Sequence, residues 1–366
     1  MNENIRLTPG DTIGILGGGQ LGRMLALSAA SLGLKAHIFC PDPESPAFDV
    51  CSAYTIAPYE DVGALDAFAS ACSVVTYEFE NVPALTAAHL AALVPVRPGV
   101  KALEVSQDRL SEKDFLSGSG VALAGYARVD SDEDLEAALD RFGGTGVLKT
   151  RRFGYDGKGQ AVIHDEGEVA EAFASLHGAP AIMEGFVPFE REISVIAARA
   201  VDGTVAAYDP AENVHRDGIL RTSTVPAAID PETMRAACDA AEAILTALDY
   251  VGVIGVEFFV EKSGVLRVNE FAPRVHNSGH WTIEGAEVSQ FEQHLRAVLD
   301  WPLGETAMVA PAVVTRNLLG PDDGADPFAR IPLALARSGA HIHWYGKESR
   351  AGRKIGHVTA RADAAA

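Results

Sequence analysis

The first hundred residues alternate between short apolar runs and amphipathic runs, and this rhythm restricts the fold more than any other feature of the chain. Thr12 to Leu16 reads as an apolar strand and Gln20 to Leu32 as a helix with Leu21, Met24, Leu25 and Leu32 on one face. Lys35 to Phe39 reads as the next strand. Ala64 to Ala71 continues as helix, Val74 to Thr76 as strand and Pro83 to Leu93 as helix. Strands separated by helices demand a parallel sheet covered on both faces, so this part predicts a small doubly wound α/β domain.

A different pattern begins after the Arg97-Pro98-Gly99 turn. Lys101 to Leu116 predicts one helix, followed by strands near Ala124 to Arg128, Gly146 to Lys149, Ala161 to His164 and Ala181 to Glu184. Acidic helices at Asp132 to Arg141 and Glu168 to Leu176 separate them, which describes a compact α+β module. Beyond Gly185, strands at Ile193 to Ala198, Val253 to Val260 and Val265 to Asn269 mix with helices at Glu232 to Leu248 and Val288 to Leu299. The expected division is 1–104, 105–184 and 185–366, each unit long enough for a core of its own.

Composition excludes several classes. A net charge of −20 opposes tracking along a nucleic-acid backbone, which depends on many Lys and Arg contacts. No apolar run reaches the roughly 18 residues of a membrane span. Met1 to Asp11 shows no basic patch leading into an apolar stretch, so no secretory signal is expected. Cys40, Cys51, Cys72 and Cys238 have neither metal-ligand spacing nor a paired framework, which suits a reducing cytoplasm.

The segment from Lys149 to Gln160, K-T-R-R-F-G-Y-D-G-K-G-Q, carries the strongest chemical signal. Lys149, Arg151, Arg152 and Lys158 surround Gly154, Gly157 and Gly159. Glycines let backbone N–H groups approach an anion and the cations neutralise it, so the segment reads as a phosphate-covering loop rather than a solvated hairpin. Lys149 ends an apolar strand, a rigid mount that aims an ammonium at nucleotide phosphates. Downstream, Glu257 and Glu270 lie on strand-like runs either side of a Ser263-Gly264 turn. A hairpin of that length brings two carboxylates together, and like charges at close range need a cation such as Mg²⁺ held jointly with phosphate oxygens. The plainer reading is two surface acids, which the adjoining Phe258, Phe259, Val268 and Phe271 oppose.

Weaker motifs stay open. Gly17-Gly18-Gly19-Gln20-Leu21-Gly22 fits G-x-G-x-x-G between strand and helix, with Asp42 near the end of the second strand. That could bind the pyrophosphate of NAD, bind another phosphate or make a tight turn holding part of a substrate; the last is preferred, because a dehydrogenase needs neither the later loop nor the carboxylate pair. Glu184-Gly185-Phe186-Val187 ends a strand and suits an adenine hinge, with Glu192 beyond it for a ribose hydroxyl, against a plain interdomain crossing. Arg274, His276, Asn277, Ser278 and His280 crowd donors into one loop and suggest substrate recognition. Lys347, Arg350, Arg353 and Lys354 form a second basic cluster that suits a substrate phosphate, against a solvated charged loop.

With these residues assembled, the chain resembles the ATP-grasp superfamily, and within it the 5-(carboxyamino)imidazole ribonucleotide synthases of purine biosynthesis. The resemblance rests on G-G-G-Q-L-G-R-M (17–24), Y-E-F-E-N (77–81), Q-D-R-L (107–110), the Lys149 loop and N-V-H-R-D-G-I-L (213–220). It continues in N-E-F-A-P-R-V-H-N-S-G-H-W (269–281) and G-K-E-S-R-A-G-R-K-I-G-H (346–357). Phe153 departs from the pattern where glycine is usual.

The resemblance implies an ATP-grasp fold with a Rossmann-like first domain, a small lid and a mixed C-terminal domain. It implies ATP-dependent carboxylation of 5-aminoimidazole ribonucleotide by bicarbonate through carboxyphosphate, with Mg²⁺ or Mn²⁺. The implied ATP contacts are Arg109, Lys149, Gly154, Tyr155, Asp156, Gly157, Lys158, Gly159, Gln160, Glu184, Gly185, Phe186, Val187, Glu192, His215, Asn269 and Glu270. The implied metal ligands are Glu257 and Glu270. Ribonucleotide contacts would be Gln20, Leu21, Glu78, Tyr155, Asp156, Arg274, His276, Asn277, Lys347, Arg353 and Lys354, with Lys149, Asp156 and Arg274 closest to the chemistry. Small molecules are the expected partners, with no nucleic acid and no membrane, in a homodimer formed through the first domain. A formate-using glycinamide ribonucleotide transformylase would share several of these features; the unbroken run from Arg274 to His280 favours the imidazole substrate.

Overall fold

A computed structural model describes residues 8–154, 159–323 and 325–362. Three sheets organise them. The first is four-stranded and wholly parallel: Thr12–Leu16 (β1), Lys35–Phe39 (β2), Ala53–Thr55 (β3) and Val74–Tyr77 (β4), in the order β3-β2-β1-β4. Helices Gln20–Ser31, Val62–Ser70 and Ala84–Ala91 lie between or after the strands, as the alternation predicts. The edge strand β3 was not anticipated; its three residues, exposed or half-buried, carry no periodic signal.

The second sheet is four-stranded and antiparallel: Tyr126–Val129 (β5), Gly146–Thr150 (β6), Gln160–Ile163 (β7) and Ala181–Gly185 (β8), in the order β5-β8-β6-β7. Leu135, Leu139, Leu148, Ile163 and Met183 give it a core separate from the others. The third sheet has nine strands: Phe189–Arg199 (β9), Val205–Ala207 (β10), Ala211–Arg216 (β11), Ile219–Val225 (β12), Gly252–Glu261 (β13), Leu266–Ala272 (β14), Ala312–Leu319 (β15), Ala340–Trp344 (β16) and Lys354–Ala362 (β17). It is antiparallel throughout, in the order β14-β13-β9-β11-β12-β15-β17-β16, with β10 on β9. Ile13, Leu25 and Val74 of the first unit share one core with Trp281, Leu295, Val298 and Val313 of the last. Among the described residues, no helix is long and apolar enough to cross a membrane.

One expected element is divided. Lys101 to Leu116 forms two helices, Val100–Ser106 and Arg109–Gly118, because Asp108 is extended and its carboxylate accepts from Leu110 N (3.0 Å) and Ser111 N (3.3 Å). An aspartate that caps a new helix cannot also continue the old one. The same carboxylate receives Arg151 Nε at 3.0 Å and Nη2 at 2.7 Å, which ties the start of the glycine-rich loop to this helix.

Candidate active site

The glycine-rich turn after β1 is occupied from within. Glu78, at the end of β4, accepts from Gly19 N at 2.7 Å and from Gly22 N at 3.2 Å. A Cβ added at Gly17 or Gly19 would fall 2.7–2.8 Å from the Glu78 side chain, and Gly17 has φ +100°. The helix N-terminus that a dinucleotide pyrophosphate requires therefore already holds a carboxylate. Asp42 accepts the backbone N–H of Glu44 at 2.9 Å, a local turn. Burial raises the pKa of Glu78 against its glycine donors and Arg274. Gln20 accepts a hydrogen bond from Lys347 Nζ, which brings the second basic cluster to this turn. Leu21 sits with its side chain in the core, so only its backbone faces the turn.

The two acids of the third sheet meet as expected. Glu257 on β13 pairs directly with Glu270 on β14, and the register slips immediately afterwards so that Phe258 faces Val268. Asn269 is the extra residue of that bulge. Its carbonyl accepts from Lys113 Nζ at 2.6 Å, while its side-chain Oδ1 is buried without a partner. Glu270 Oε2 accepts from Arg109 Nη1 at 2.7 Å, and Arg109 Nη2 reaches Gly154 O at 3.2 Å. Burial would raise the pKa of Glu270, yet Arg109 and Lys149 hold it well below the usual carboxylate range. Burial and then the Glu270 charge push that of Glu257 up. Two neighbouring carboxylates, only one of which easily stays charged, and an orphaned amide oxygen beside them suit a divalent cation. Among the described residues, no group of three or more His, Cys, Asp or Glu could hold a metal ion, so a cation here would need oxygens from its nucleotide.

Lys149 and Glu184 form a buried cluster with a residue the sequence reading overlooked. Glu184 Oε1 lies 3.0 Å from Lys149 Nζ, and Oε2 lies 3.1 Å from Lys113 Nζ. The Lys113 side chain is 2% exposed. Its position on the helix after Asp108, four residues beyond Arg109, was the available signal. Burial lowers the pKa of Lys149 despite Glu184, so its charge is poorly compensated and suits an additional anion. Gly185 N is committed to Gly125 O at 2.7 Å, Val187 is buried and Phe186 is half exposed. Glu192 Oε2 bonds His215 Nδ1 at 2.6 Å across β9 and β11. Gly159 (φ +68°) and Gln160 open β7, whereas Tyr155, Asp156, Gly157 and Lys158 lie outside the described residues.

The donor-rich loop is held rigidly against the acids. Arg274 Nε pairs with Glu80 Oε2, and Arg274 Nη1 reaches Val275 O at 3.0 Å. Gln290, wholly buried, accepts from His276 N at 2.9 Å and donates to His276 O at 2.7 Å. His276 Nε2 lies 3.3 Å from Glu257 Oε1. Burial and then Arg274 lower the His276 pKa to about 3, so the ring is neutral. Asn277 Oδ1 lies 3.1 Å from His280 Nε2. In the C-terminal cluster, Lys354 begins β17 and acts electrostatically on Glu257 and His215, and Arg353 Nη1 donates to Glu348 O at 3.3 Å. Arg350 instead pairs with Glu348 in solvent, at 2.7 Å with both side chains about two-thirds exposed.

A lysine-mounted glycine loop, a carboxylate pair on adjacent antiparallel strands and a doubly wound first domain define an ATP-grasp protein. Family models agree: the ATP-grasp domain matches residues 114–291, the ribonucleotide synthetase preATP-grasp domain 11–107 and the phosphoribosylaminoimidazole carboxylase C-terminal domain 313–366. The N5-carboxyaminoimidazole ribonucleotide synthase of Brucella melitensis is 55% identical over 360 residues, covering 98% of each chain. That of Pseudomonas aeruginosa is 45% identical over 353 residues, covering 95% of this chain and 94% of its own. The crystal structure of N5-carboxyaminoimidazole synthase from Aspergillus clavatus in complex with ADP and 5-aminoimidazole ribonucleotide superimposes with a TM-score of 0.89 at 30% identity, covering 97% of this chain and 94% of that one. The chain belongs to the N5-carboxyaminoimidazole ribonucleotide synthase family.

Proposed function

We propose that this chain is an ATP-dependent ligase of purine biosynthesis that joins bicarbonate to the exocyclic amine of 5-aminoimidazole ribonucleotide, releasing ADP and phosphate. The direct pairing of Glu257 with Glu270, between the Arg109–Lys149 cluster and the His276 loop, is the observation that carries the reading. A bicarbonate oxygen takes the terminal phosphoryl group of ATP; the carboxyl carbon then passes to the amine nitrogen, which gives up a proton, and phosphate leaves with the anhydride oxygen, whether by direct attack or through CO₂ set free in the closed site. The mixed anhydride between these steps is lost to water unless the site closes, which gives a glycine-rich cover its purpose.

In this reading Arg109, Lys149, Gly154, Gly159 and Gln160 hold ATP phosphates together with Tyr155 to Lys158. Glu184 to Val187 border the adenine, while Glu192 and His215 take the ribose. Asn269 is a further ATP contact, and Glu257 and Glu270 would hold Mg²⁺, with Mn²⁺ as a substitute; bound there, it would neutralise phosphate oxygens as the phosphoryl group transfers. Gln20, Leu21, Glu78, Arg274, His276, Asn277, Lys347, Arg353 and Lys354 receive the ribonucleotide, and Asp156 is the candidate for the amine proton. Units 1–104, 105–184 and 185–366 correspond to base, lid and metal-bearing body, in a cytoplasmic homodimer paired through the first.

Purified protein with ATP, Mg²⁺, bicarbonate and 5-aminoimidazole ribonucleotide should release ADP, and replacing bicarbonate with formate should stop it. ADP release that follows formate and glycinamide ribonucleotide instead would overturn the assignment. Glu270→Gln should abolish turnover while the protein still unfolds cooperatively, because the amide oxygen can still accept from Arg109 Nη1 and the side chain is 39% exposed. Full activity in that variant would remove the metal assignment.

A further inference from the structure

Behind the carboxylate pair runs a line of buried polar side chains for which the chemistry above has no use. Ser223 Oγ donates to Asn213 Oδ1 at 2.7 Å, Asn213 Nδ2 to Ser194 Oγ at 2.9 Å and Ser194 Oγ to Ser278 Oγ at 2.7 Å. Ser278 Oγ lies 2.8 Å from His276 Nδ1. All four residues are at most 5% exposed, and none of their side-chain polar atoms lacks a partner. The line crosses the third sheet with one diagonal step: Glu257 pairs with Ser194 and Asn213 with Ser223, while on β9 Asn213 stands opposite Glu192, two residues from Ser194.

Hydroxyls and an amide can point either way, so such a line has two possible polarities. One end removes the choice. The backbone N–H of Ser278 faces His276 Nδ1 at 3.4 Å, and a peptide N–H can only donate. Nδ1 is then the acceptor, and the one proton of the neutral ring is on Nε2, the nitrogen 3.3 Å from Glu257 Oε1. The reverse polarity would set two N–H groups against each other at Nδ1, and that end rejects it.

We propose that Ser278, Ser194, Asn213 and Ser223 form a positioning relay that holds His276 as its Nε2–H tautomer. The ring then steadies one oxygen of Glu257 and offers no lone pair to a cation, leaving metal binding to carboxylates. The effect on catalysis rests on the reading of Glu257 as a metal ligand; the tautomer does not. Partners of this kind, which orient a ligand's neighbour, are worth about 10–100-fold in metal affinity or activity.

The test is a long-range ¹H–¹⁵N spectrum of histidine-labelled protein without metal or nucleotide, with His276 identified by its loss in His276→Asn. Wild type should show His276 as Nε2–H. Ser194→Ala should lower that population and reduce kcat about tenfold with KM for ATP unchanged, and Ser194→Thr, which keeps the hydroxyl, should restore both. Should Ser194→Ala fail to fold, Asn213→Asp, of the same shape but offering acceptors in place of the amide donor, carries the same two measurements. A wild-type ring that is Nδ1–H or doubly protonated overturns the proposal, as does a variant with unchanged spectrum and kcat. Absence of turnover in wild type would instead defeat the functional reading while the spectrum still decided the tautomer.

Discussion

At the scale of single residues, space and charge around the loop ends decide what each position tolerates. A Cβ at Gly255 would fall 2.6 Å from His276 Cβ, so β13 can pass beneath that ring only as glycine. Phe153 is the converse: it stands at φ +61° with 73% of its surface exposed, a left-handed conformation costing about 1–2 kcal/mol that glycine would avoid. The departure from the family pattern thus falls where the backbone favours glycine. Lys347 permits a sharper statement, because burial lowers its pKa to about 8. A lysine is charged below its pKa, so the hold proposed for it on a substrate phosphate should weaken as pH rises through 8. KM for the ribonucleotide should climb by up to about tenfold per pH unit above that point. Lys347→Arg, which stays charged, should flatten the rise. Initial rates from pH 7 to 9.5 decide it, and a parallel rise in both proteins would rule Lys347 out as the cause.

Among the elements, the helix from Arg109 to Gly118 matters most for the site, and the sequence reading described it least well. It carries Arg109 to Glu270, Glu112 to Phe271 N at 2.8 Å and Lys113 to Glu184 and Asn269, so one short helix braces both the Lys149–Glu184 cluster and β14. Removing a partner from a buried ion pair is costly because the other charge is left without solvent. Lys113→Met should therefore lower stability by about 3 kcal/mol, the low end for such pairs because Lys149 remains on Glu184. Urea unfolding measures this, and a loss below about 1 kcal/mol, the scale of exposed pairs, would show that the lysine is not structurally coupled. Hydrophobic period recovered most of the longer helices, though it ran Val100–Ser106 and Arg109–Gly118 together, and the strands with continuous apolar runs, such as β1, β8 and β13. It missed β10, β15, β16 and β17, and also β11 and β12, whose polar residues face each other in the relay, although Asp217-Gly218 between them (φ +55° and +72°) is a recognisable hairpin turn. The carboxylate pairing was legible because Ser263-Gly264 marked its turn. The Glu78 plug and the Lys113 brace were not, since each joins residues far apart in sequence.

On the scale of the whole molecule, one histidine joins the first sheet to the third. His294 Nδ1 accepts from Val253 N at 3.0 Å, and Nε2 lies 2.8 Å from Thr76 Oγ1, with the ring wholly buried. Since Nδ1 takes a backbone N–H, Nε2 bears the proton and Thr76 receives it; a second proton would have to displace Val253. Burial accordingly lowers the pKa to about 3. Above about pH 6.5 the ring is neutral folded or unfolded and contributes no pH dependence. As pH falls below that value the unfolded chain binds a proton that the folded state refuses, so stability declines by up to about 1.4 kcal/mol per pH unit. Gln at this position can accept from Val253 and donate to Thr76 without titrating. His294→Gln should therefore be somewhat less stable than wild type at pH 7, through lost packing, with the gap narrowing by about 2 kcal/mol by pH 5. Urea midpoints at pH 7, 6 and 5 supply the comparison. A gap that stays constant would mean that His294 already carries its proton in the folded protein, and that the two sheets are joined by a charge rather than by a neutral ring.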